Sequence, residues 1–241
     1  MSRLSLIFSH NSIVPMICAL IAGIIILGLN GPWWAVFFVF LGVPAQMLNE
    51  YSLHRFIFHL PPPEKQSLFN VLYQAHYGHH DFPTNKKLFF APIWVSIPVL
   101  IINFTVVWAV LSLIVPQYAL SIAASIVLIG GVGTFLCYEW FHMTAHLTVR
   151  KTWVERHVTT LHNQHHFRDF SKWFHVSPGG QIIDKAMGTA IDREALKRQQ
   201  RVEFIRTLGM RPNDERLIKA RQHFSYKYGL SAEEIERAAH I

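Results

Sequence analysis

Four long apolar runs dominate the first 140 residues of this 241-residue chain, and polar residues prevail after them. The runs cover Ile13 to Leu29, Trp33 to Leu48, Ile93 to Val115 and Tyr118 to Tyr138. Each run is close to the ~20 residues that an α-helix needs to cross a bilayer. The pattern therefore predicts four membrane-spanning helices.

Short breaks join these runs in pairs. Asn30-Gly31-Pro32 separates the first two runs, and Pro116-Gln117 separates the last two. Both breaks are turn signals, too short to carry the chain away from the membrane. We therefore expect two helical hairpins that leave segment 49–91 and everything after residue 139 on one face.

The first run can also be interpreted as a signal peptide, because Arg3 precedes it. It lacks a convincing small-residue cleavage site, and it is long for the apolar region of such a peptide. We interpret it as the first spanning helix.

The composition agrees with a membrane protein. Hydrophobic residues make up 51% of the chain and charged residues 15%, whereas soluble domains carry about 25% charged residues. Cys18 and Cys137 stand alone inside apolar runs, which disfavours a disulfide framework or thiolate metal sites. The sequence predicts an all-α membrane protein in which four transmembrane helices form two hairpins under a histidine-rich helical cap.

The positive charges indicate the orientation. The net charge is +7, and 17 of the 22 Lys and Arg residues lie beyond residue 149. In the two-hairpin topology all of them fall on one face, which the positive-inside rule makes cytosolic. We expect both termini and the cap on that face, in a bacterial inner membrane or the endoplasmic reticulum. Nucleic-acid binding is disfavoured, because no recognised module is present and the charge sits beside a membrane.

A change in composition near residue 190 predicts two domains. Residues 1–190 form the expected membrane and catalytic domain, and residues 191–241 form a basic helical tail in which Ser231 and Glu234 make a capping-box signature and Gly229 suits a helix end. The basic tail is compatible with three roles: a solvated surface, the binding of anionic head groups and the docking of an acidic electron donor. The sequence leaves these three roles open.

Ten histidines follow the second and fourth apolar runs. They are His54, His59, His76, His79, His80, His142, His146, His162, His165 and His166. Positions i, i+3 and i+4 share one face of a helix, so the H-x2-HH and H-x3-H groups can each aim several imidazoles at one point. His54 and His59 lie about 140° apart on an ideal helix, and they reach a common site only between helices or in a distorted turn.

This clustering predicts a metal centre. An isolated histidine is usually hydrogen-bonded or exposed, but imidazole is the commonest metal ligand near neutral pH. Ten ligands exceed the needs of one ion, which implies two metals close together. Nitrogen-rich sites suit iron, zinc and copper alike.

Four carboxylates are candidates for orienting the imidazoles through their second ring nitrogen. Glu50 lies one turn before His54, and Glu139 lies three residues before His142. Asp81 and Asp169 flank the two HH pairs. We favour such a role for the two glutamates more than for the aspartates, which also suit helix caps or the surface.

The complete histidine pattern resembles that of the fatty acid hydroxylase and sterol desaturase superfamily of membrane non-haem di-iron enzymes. Within it, EYSLHRFIFH, the H-x-GHH motif with the following Pro83, and the Val176-Ser177 to Thr189 stretch are most similar to fatty acid 2-hydroxylases. The resemblance covers roughly residues 35 to 190.

The resemblance implies an oxidoreductase in which the ten histidines bind two iron ions, with zinc as a substitute in purified protein. It implies O2-dependent hydroxylation of a lipid acyl chain, with fatty acid 2-hydroxylation as the favoured reaction of lipid biosynthesis. No haem-carrying cytochrome domain is visible in the sequence, so electrons are expected from a separate donor protein.

Three positions depart from the pattern of the close relatives. His175 stands where they usually have glycine, and it suits an additional ligand, a hydrogen-bond donor behind the ligands or a surface histidine. Asn85 and Lys87 replace aspartate and arginine, which weakens head-group recognition as an expectation.

Two alternatives remain. One is hydroxylation or desaturation of another lipid, such as a sterol, carotenoid or alkyl-glycerol lipid, for which the metal ligands would look alike. The other is a membrane zinc transporter or sensor. Such a protein would usually place ionisable ligands inside its spans, whereas these histidines lie just outside the apolar cores.

Overall fold

The computed structural model describes residues 2–240, and every regular element in that range is helical, which confirms the all-α prediction. The chain divides into two compact units, 1–190 and 191–241.

The first unit contains ten α-helices among its described residues. In chain order they are α1 (Arg3–Phe8), α2 (Ile13–Asn30), α3 (Val39–Leu53), α4 (Gln66–Leu72), α5 (Gly78–Asp81), α6 (Ile93–Ile114), α7 (Ala119–Ala123), α8 (Val132–His146), α9 (Trp153–Phe167) and α10 (Gln181–Ala186). Short 3₁₀ helices cover Trp33–Phe38 and Lys86–Leu88. Three π-helical segments interrupt or extend the α-helices, at His54–Phe58, Tyr73–Tyr77 and Ala124–Gly131.

Three helical segments are long and apolar enough to cross a membrane. They cover Ile13–Asn30, Lys86–Ile114 and Ala119–His146. These segments correspond to the first, third and fourth apolar runs of the sequence.

The second apolar run folds differently from a single long helix. Its first part is the 3₁₀ helix Trp33–Phe38, and α3 then carries Pro44 in its interior. Proline supplies no backbone N–H and disturbs the helical ladder at this point. The 15 residues of α3 span about 22 Å, and Asn49 and Glu50 in its last turns are polar. The fourth span therefore stays a prediction.

The segment Ala119–His146 lies at the centre of the first unit, and α2, α3 and α6 pack against it. Its most apolar stretch is 56% buried, whereas that of α6 has no buried residue, as expected for a helix that faces lipid. Gly42 of α3 meets Gly130 so closely that a Cβ on either would overlap the other backbone. Glycine at both positions lets the helices come into contact.

Glu155 fixes α9, which carries three of the ten histidines, against α1 and α8. Its Oε1 accepts from Arg3 at 2.6 Å and from the Trp140 indole N–H at 3.2 Å. Glu155 also completes a capping box with Thr152 at the start of α9.

The second unit consists of α11 (Arg193–Thr207), α12 (Glu215–Tyr228) and α13 (Ala232–Ala239). The predicted capping box of Ser231 and Glu234 begins α13 and is confirmed. Gly229 ends α12 in a left-handed conformation with a φ of 63°, which also confirms the prediction.

Candidate metal centre

The ten histidines converge in two groups of five whose nearest ring nitrogens lie within 4.8 Å of one another in each group. Group one contains His54, His59, His76, His80 and His165, and group two contains His79, His142, His146, His162 and His166. The two groups adjoin, since the rings of His80 and His166 stack with centroids 4.1 Å apart.

Each group takes one histidine from the other half of the chain. His79 joins the four histidines of the second half, and His165 joins the four of the first half. The neighbours His79 and His80 therefore serve different groups, as do His165 and His166. Within each H-x2-HH motif, the histidines at i and i+4 belong to one group, whereas the histidine at i+3 belongs to the other group.

A π-helical turn brings His54 and His59 together despite their five-residue separation. The N–H of His59 donates to the carbonyl of His54 at 3.1 Å, which is the i→i+5 bond of a π-helix. Pro61 and the two prolines after it follow this turn and prevent its continuation as a regular helix. This is the distorted turn that a common site for the two histidines requires.

The arrangement of ring nitrogens in group one fits a shared metal ion. His76 Nε2 lies 3.0 Å from His54 Nε2, 3.1 Å from His59 Nε2 and 2.8 Å from His80 Nε2. A neutral imidazole carries one N–H and can donate to only one of these three neighbours. Two nitrogens bound at right angles to one ion, each at about 2.1 Å, would lie about 3.0 Å apart.

Group two contains two similarly close nitrogen pairs. The Nε2 atoms of His79 and His142 are 2.8 Å apart, as are those of His146 and His162. Across both groups, several buried ring nitrogens have no hydrogen-bond partner among the described residues: Nδ1 of His79, His80, His142, His162 and His166, and Nε2 of His165 and His166. Unpartnered buried polar atoms are costly, and bound metal would satisfy those that face the centre.

The imidazoles are held neutral, as metal ligands must be. Burial, aided by the neighbouring imidazole His165, lowers the pKa of His59 to about 3 and that of His80 to about 2. Burial and the surrounding histidines also hold the pKa of His76 well below its ordinary value. Near neutral pH each ring therefore offers a lone pair.

Backbone carbonyls orient two of the imidazoles of group one. His54 Nδ1 donates to the carbonyl of Phe174 at 2.5 Å, and His165 Nδ1 donates to that of Lys172 at 2.7 Å. These bonds fix the tautomer, so that Nε2 of each ring faces the group. No side-chain motif marks backbone acceptors, so these two carbonyls could not be predicted from the sequence.

The four carboxylates singled out in the sequence bond to other partners. Glu50 accepts from the N–H of Val176 at 3.2 Å and from the Ser177 hydroxyl at 2.7 Å, so it anchors the segment that carries Phe174. Glu139 accepts from the N–H of Ala91 at 3.0 Å. Among the described residues neither forms a hydrogen bond with an imidazole of the two groups.

In the described part of the chain, neither aspartate forms a hydrogen bond with an imidazole of the two groups. Asp81 accepts from the Tyr73 hydroxyl at 2.8 Å. Asp169 accepts from the backbone and hydroxyl of Ser171. Their hydrogen bonds are local caps and surface contacts.

His175 is buried, with 3% of its surface exposed, and belongs to neither group. Of the three interpretations of His175, the surface histidine is wrong, because the ring stacks on Tyr51 and bonds to Asp184 at 3.2 Å and to the carbonyl of Met47 at 2.7 Å. Burial alone would lower the pKa of His175, but the bond to Asp184 and the charge of Glu50 reverse this and raise it.

Asp184 lies in the stretch that resembles fatty acid 2-hydroxylases, but the sequence indicated no role for it. It is fully buried and accepts from the N–H groups of Phe174 and His175 and from the Thr189 hydroxyl, at 2.8 to 3.2 Å. The turn that presents the Phe174 carbonyl to His54 is therefore built around one carboxylate.

A narrow cavity of about 70 Å³ reaches group one between α3, α6 and α8. His54 and Phe58 line it beside Leu53, and most of the remaining wall is apolar. His54 thus belongs both to the candidate metal centre and to a cavity shaped for hydrocarbon.

Comparison with known proteins identifies the family. The sequence profile of the family described as "Fatty acid hydroxylase" matches residues 39–189. The chain belongs to the fatty acid hydroxylase family. The matched range contains both histidine groups, and it confirms the resemblance seen in the sequence.

Individual relatives carry related names. The chain is 27% identical over 162 residues to the ceramide very long chain fatty acid hydroxylase scs7 of Schizosaccharomyces pombe, covering 64% of this chain and 42% of that protein. It is 29% identical over 163 residues to the fatty acid 2-hydroxylase of Rattus norvegicus, covering 66% and 41%. It is 28% identical over 178 residues to the dihydroceramide fatty acyl 2-hydroxylase FAH2 of Arabidopsis thaliana, covering 73% and 69%.

A solved structure shares the fold. Full-length scs7p, of which only the hydroxylase domain is visible, matches with a TM-score of 0.59 and 24% identity. The match covers 73% of this chain and 62% of that one.

Proposed function

We propose that this protein is a membrane-bound di-iron oxygenase that hydroxylates a lipid acyl chain at the carbon next to the carbonyl. The observation that carries the proposal is that His54 joins a five-histidine group to an apolar cavity. Family membership supports the reaction, and relatives named as 2-hydroxylases support its position on the chain.

The residues of this chain would position the ions and the substrate. Ten neutral imidazoles in two adjacent groups suit two ions. Iron, when bound there, would supply the reduction of O2 that inserting one oxygen atom requires. The cavity wall around Leu53 and Phe58 would hold the chain beside His54 and exclude water from it. Hydroxylation also consumes two electrons and two protons, and we propose that a separate donor protein provides the electrons.

We further propose that residues 1–190 form the catalytic part and that the basic tail 191–241 is peripheral to the chemistry. In this proposal four spans place the centre and both termini on the cytosolic face. Reporter tags at residue 2 and residue 241 should both read out cytosol, and one inserted at Gln117 should read out the opposite side. A tag at either terminus on the far side would overturn the topology.

Lipid mass spectrometry tests the reaction. Cells would express the intact protein, His165→Ala, and the control His157→Ala, which alters an exposed histidine of the same helix α9. We expect lipids with one added oxygen for the intact protein and the control, and none for His165→Ala, which should also bind less metal while still inserting.

Other outcomes are equally decisive. Full activity of His165→Ala would contradict the assignment. Lipids that have lost two hydrogens would indicate a desaturase. No lipid change despite bound metal would favour the transporter or sensor alternative.

A further inference from the structure

Three carboxamide side chains interrupt the apolar wall of the cavity that leads to His54. Gln46, Asn49 and Asn103 line that cavity and also a second cavity, which lies farther from His54 along α3. The second cavity is otherwise walled by small and apolar residues such as Ala45 and Val106. We call Gln46, Asn49 and Asn103 the carboxamide band.

The distance of the carboxamide band from His54, a member of group one, can be estimated along the helix. Along the helix axis, Asn49 is about 7.5 Å and Gln46 about 12 Å from His54, at about 1.5 Å per residue. Asn103 faces the same cavity from α6, and so does Ser96, seven residues earlier on the same face.

The hydrogen-bonding groups of the band are largely unused. Each carboxamide offers two N–H donors and two acceptor lone pairs. Among the described residues the three side chains make one long bond, from Asn49 Nδ2 to Gln46 Oε1 at 3.5 Å. The Ser96 hydroxyl in the same cavity is buried, with 6% of the residue exposed, and has no partner.

Unused hydrogen-bonding groups are expensive at membrane depth. Polar side chains within spans almost always face a protein-lined cavity and mark the path of a ligand. An unbroken hydrocarbon chain passing the band would leave its donors and acceptors unpaired, whereas a chain with an oxygen at that depth would satisfy them.

We propose that the carboxamide band selects a lipid that carries a hydrogen-bonding oxygen, such as a hydroxyl group, partway along its chain. The inference rests on the proposed function, because it takes the cavity beside His54 as the substrate site. It adds a chemical class of substrate, namely a lipid chain that carries a polar group between two apolar stretches.

Competition binding tests the band without requiring turnover. The metal-loaded protein in lipid vesicles would bind a fluorescent fatty acid, which octadecanoate or the same acid with one mid-chain hydroxyl then displaces. A site built to hydrogen-bond a hydroxyl rejects the analogue lacking it strongly, so the hydroxylated acid should displace the probe at least about tenfold more effectively. Asn103→Leu and Gln46→Leu should each abolish or reverse this preference and still bind octadecanoate.

Ser112→Leu is the matched control, because it removes a polar group from α6 outside both cavities. It should keep the preference of the intact protein, and all variants should keep their metal content. An intact protein that prefers octadecanoate, or a preference unchanged by both band variants, would overturn the proposal.

Variants that merely accept longer unsubstituted acids would show that the band limits chain length and would overturn the proposed selection. If the intact protein adds oxygen to no lipid but keeps the binding preference, the proposed function fails while the proposed band stands.

Discussion

Trp173 is the residue whose backbone aims both orienting carbonyls at group one. It is buried and adopts a left-handed conformation with a φ of 54°. The carbonyls on either side of it, from Lys172 and Phe174, accept from His165 and His54. Its indole N–H donates to Gln164 Oε1 at 2.9 Å and holds the turn against α9.

A left-handed conformation costs a residue with a Cβ roughly 1–2 kcal/mol. Trp173→Ala and Trp173→Gly both remove the buried indole, but only glycine also removes this cost. We expect both variants to be destabilised, with Trp173→Gly more stable than Trp173→Ala by about 1 kcal/mol, as measured by thermal unfolding in detergent. Equal stability of the two variants would show that the backbone strain is absent.

Asp184 is the second residue on which the turn depends. Asp184→Asn replaces one acceptor oxygen by an NH2 group, which cannot accept from an N–H group, so the bond to the N–H of either Phe174 or His175 would be lost, and the remaining one would lose its charge assistance. Each hydrogen bond to a charged group contributes about 1.5–3 kcal/mol, and we expect a loss of about 3 kcal/mol in unfolding free energy with a parallel loss of metal. Asp169→Asn is the surface control, and an equal effect there would refute the role of Asp184.

At the scale of elements, a π-helical turn explains how two histidines five residues apart reach a common site. The turn His54–Phe58 adds a residue to the ladder and brings His54 and His59 to the same side. A second such turn, Tyr73–Tyr77, contains His76 and precedes His79 and His80. Only the first of these turns lies where a regular helix would direct the imidazoles to different sides, because His76, His79 and His80 already share one face by their spacing.

The contact between α3 and the π-helical segment Ala124–Gly131 predicts a glycine requirement. A Cβ at Gly42 would overlap the backbone of Ile126 and Gly130, so Gly42→Ala should lower stability by about 1–3 kcal/mol. Gly28→Ala on α2 is the control, because a Cβ there meets no atom within 4 Å. Thermal unfolding should show a loss for Gly42→Ala and no loss for Gly28→Ala, and the reverse order would contradict this packing.

At the scale of the whole molecule, burial of neutral histidines makes the metal-free protein sensitive to acid. Burial lowers the pKa of His59 to about 3, of His80 to about 2 and of His165 to about 4, from 6.5 in the unfolded chain. Between these values the unfolded chain binds more protons than the folded one, so stability rises with pH and falls on acidification.

We therefore expect the unfolding temperature of the metal-free protein to fall as the pH is lowered from about 6.5 to about 4. Bound metal should be released over an overlapping range, because protons compete for the same nitrogens. Metal content by elemental analysis and unfolding by circular dichroism check this. A flat profile across that window would show that the imidazoles are exposed.

Several features of the molecule follow from the sequence by itself. The apolar runs predicted the helical class and four spans, three of which coincide with helices long and apolar enough to cross a membrane, because hydropathy and helix length are local properties. The ten candidate histidines could also be identified from the sequence, since their spacing and their positions after the apolar runs are local features of the chain. The caps at Ser231 and Gly229 were predictable for the same reason.

Tertiary structure alone decided how these histidines are shared. The exchange of His79 and His165 between groups, the contact of His54 with the Phe174 carbonyl and the burial of His175 all depend on segments more than 60 residues apart packing together. Such packing follows from shape and from buried hydrogen bonds, which no local pattern encodes. The sequence therefore determined the ligand chemistry of the candidate centre, and the fold determined its geometry.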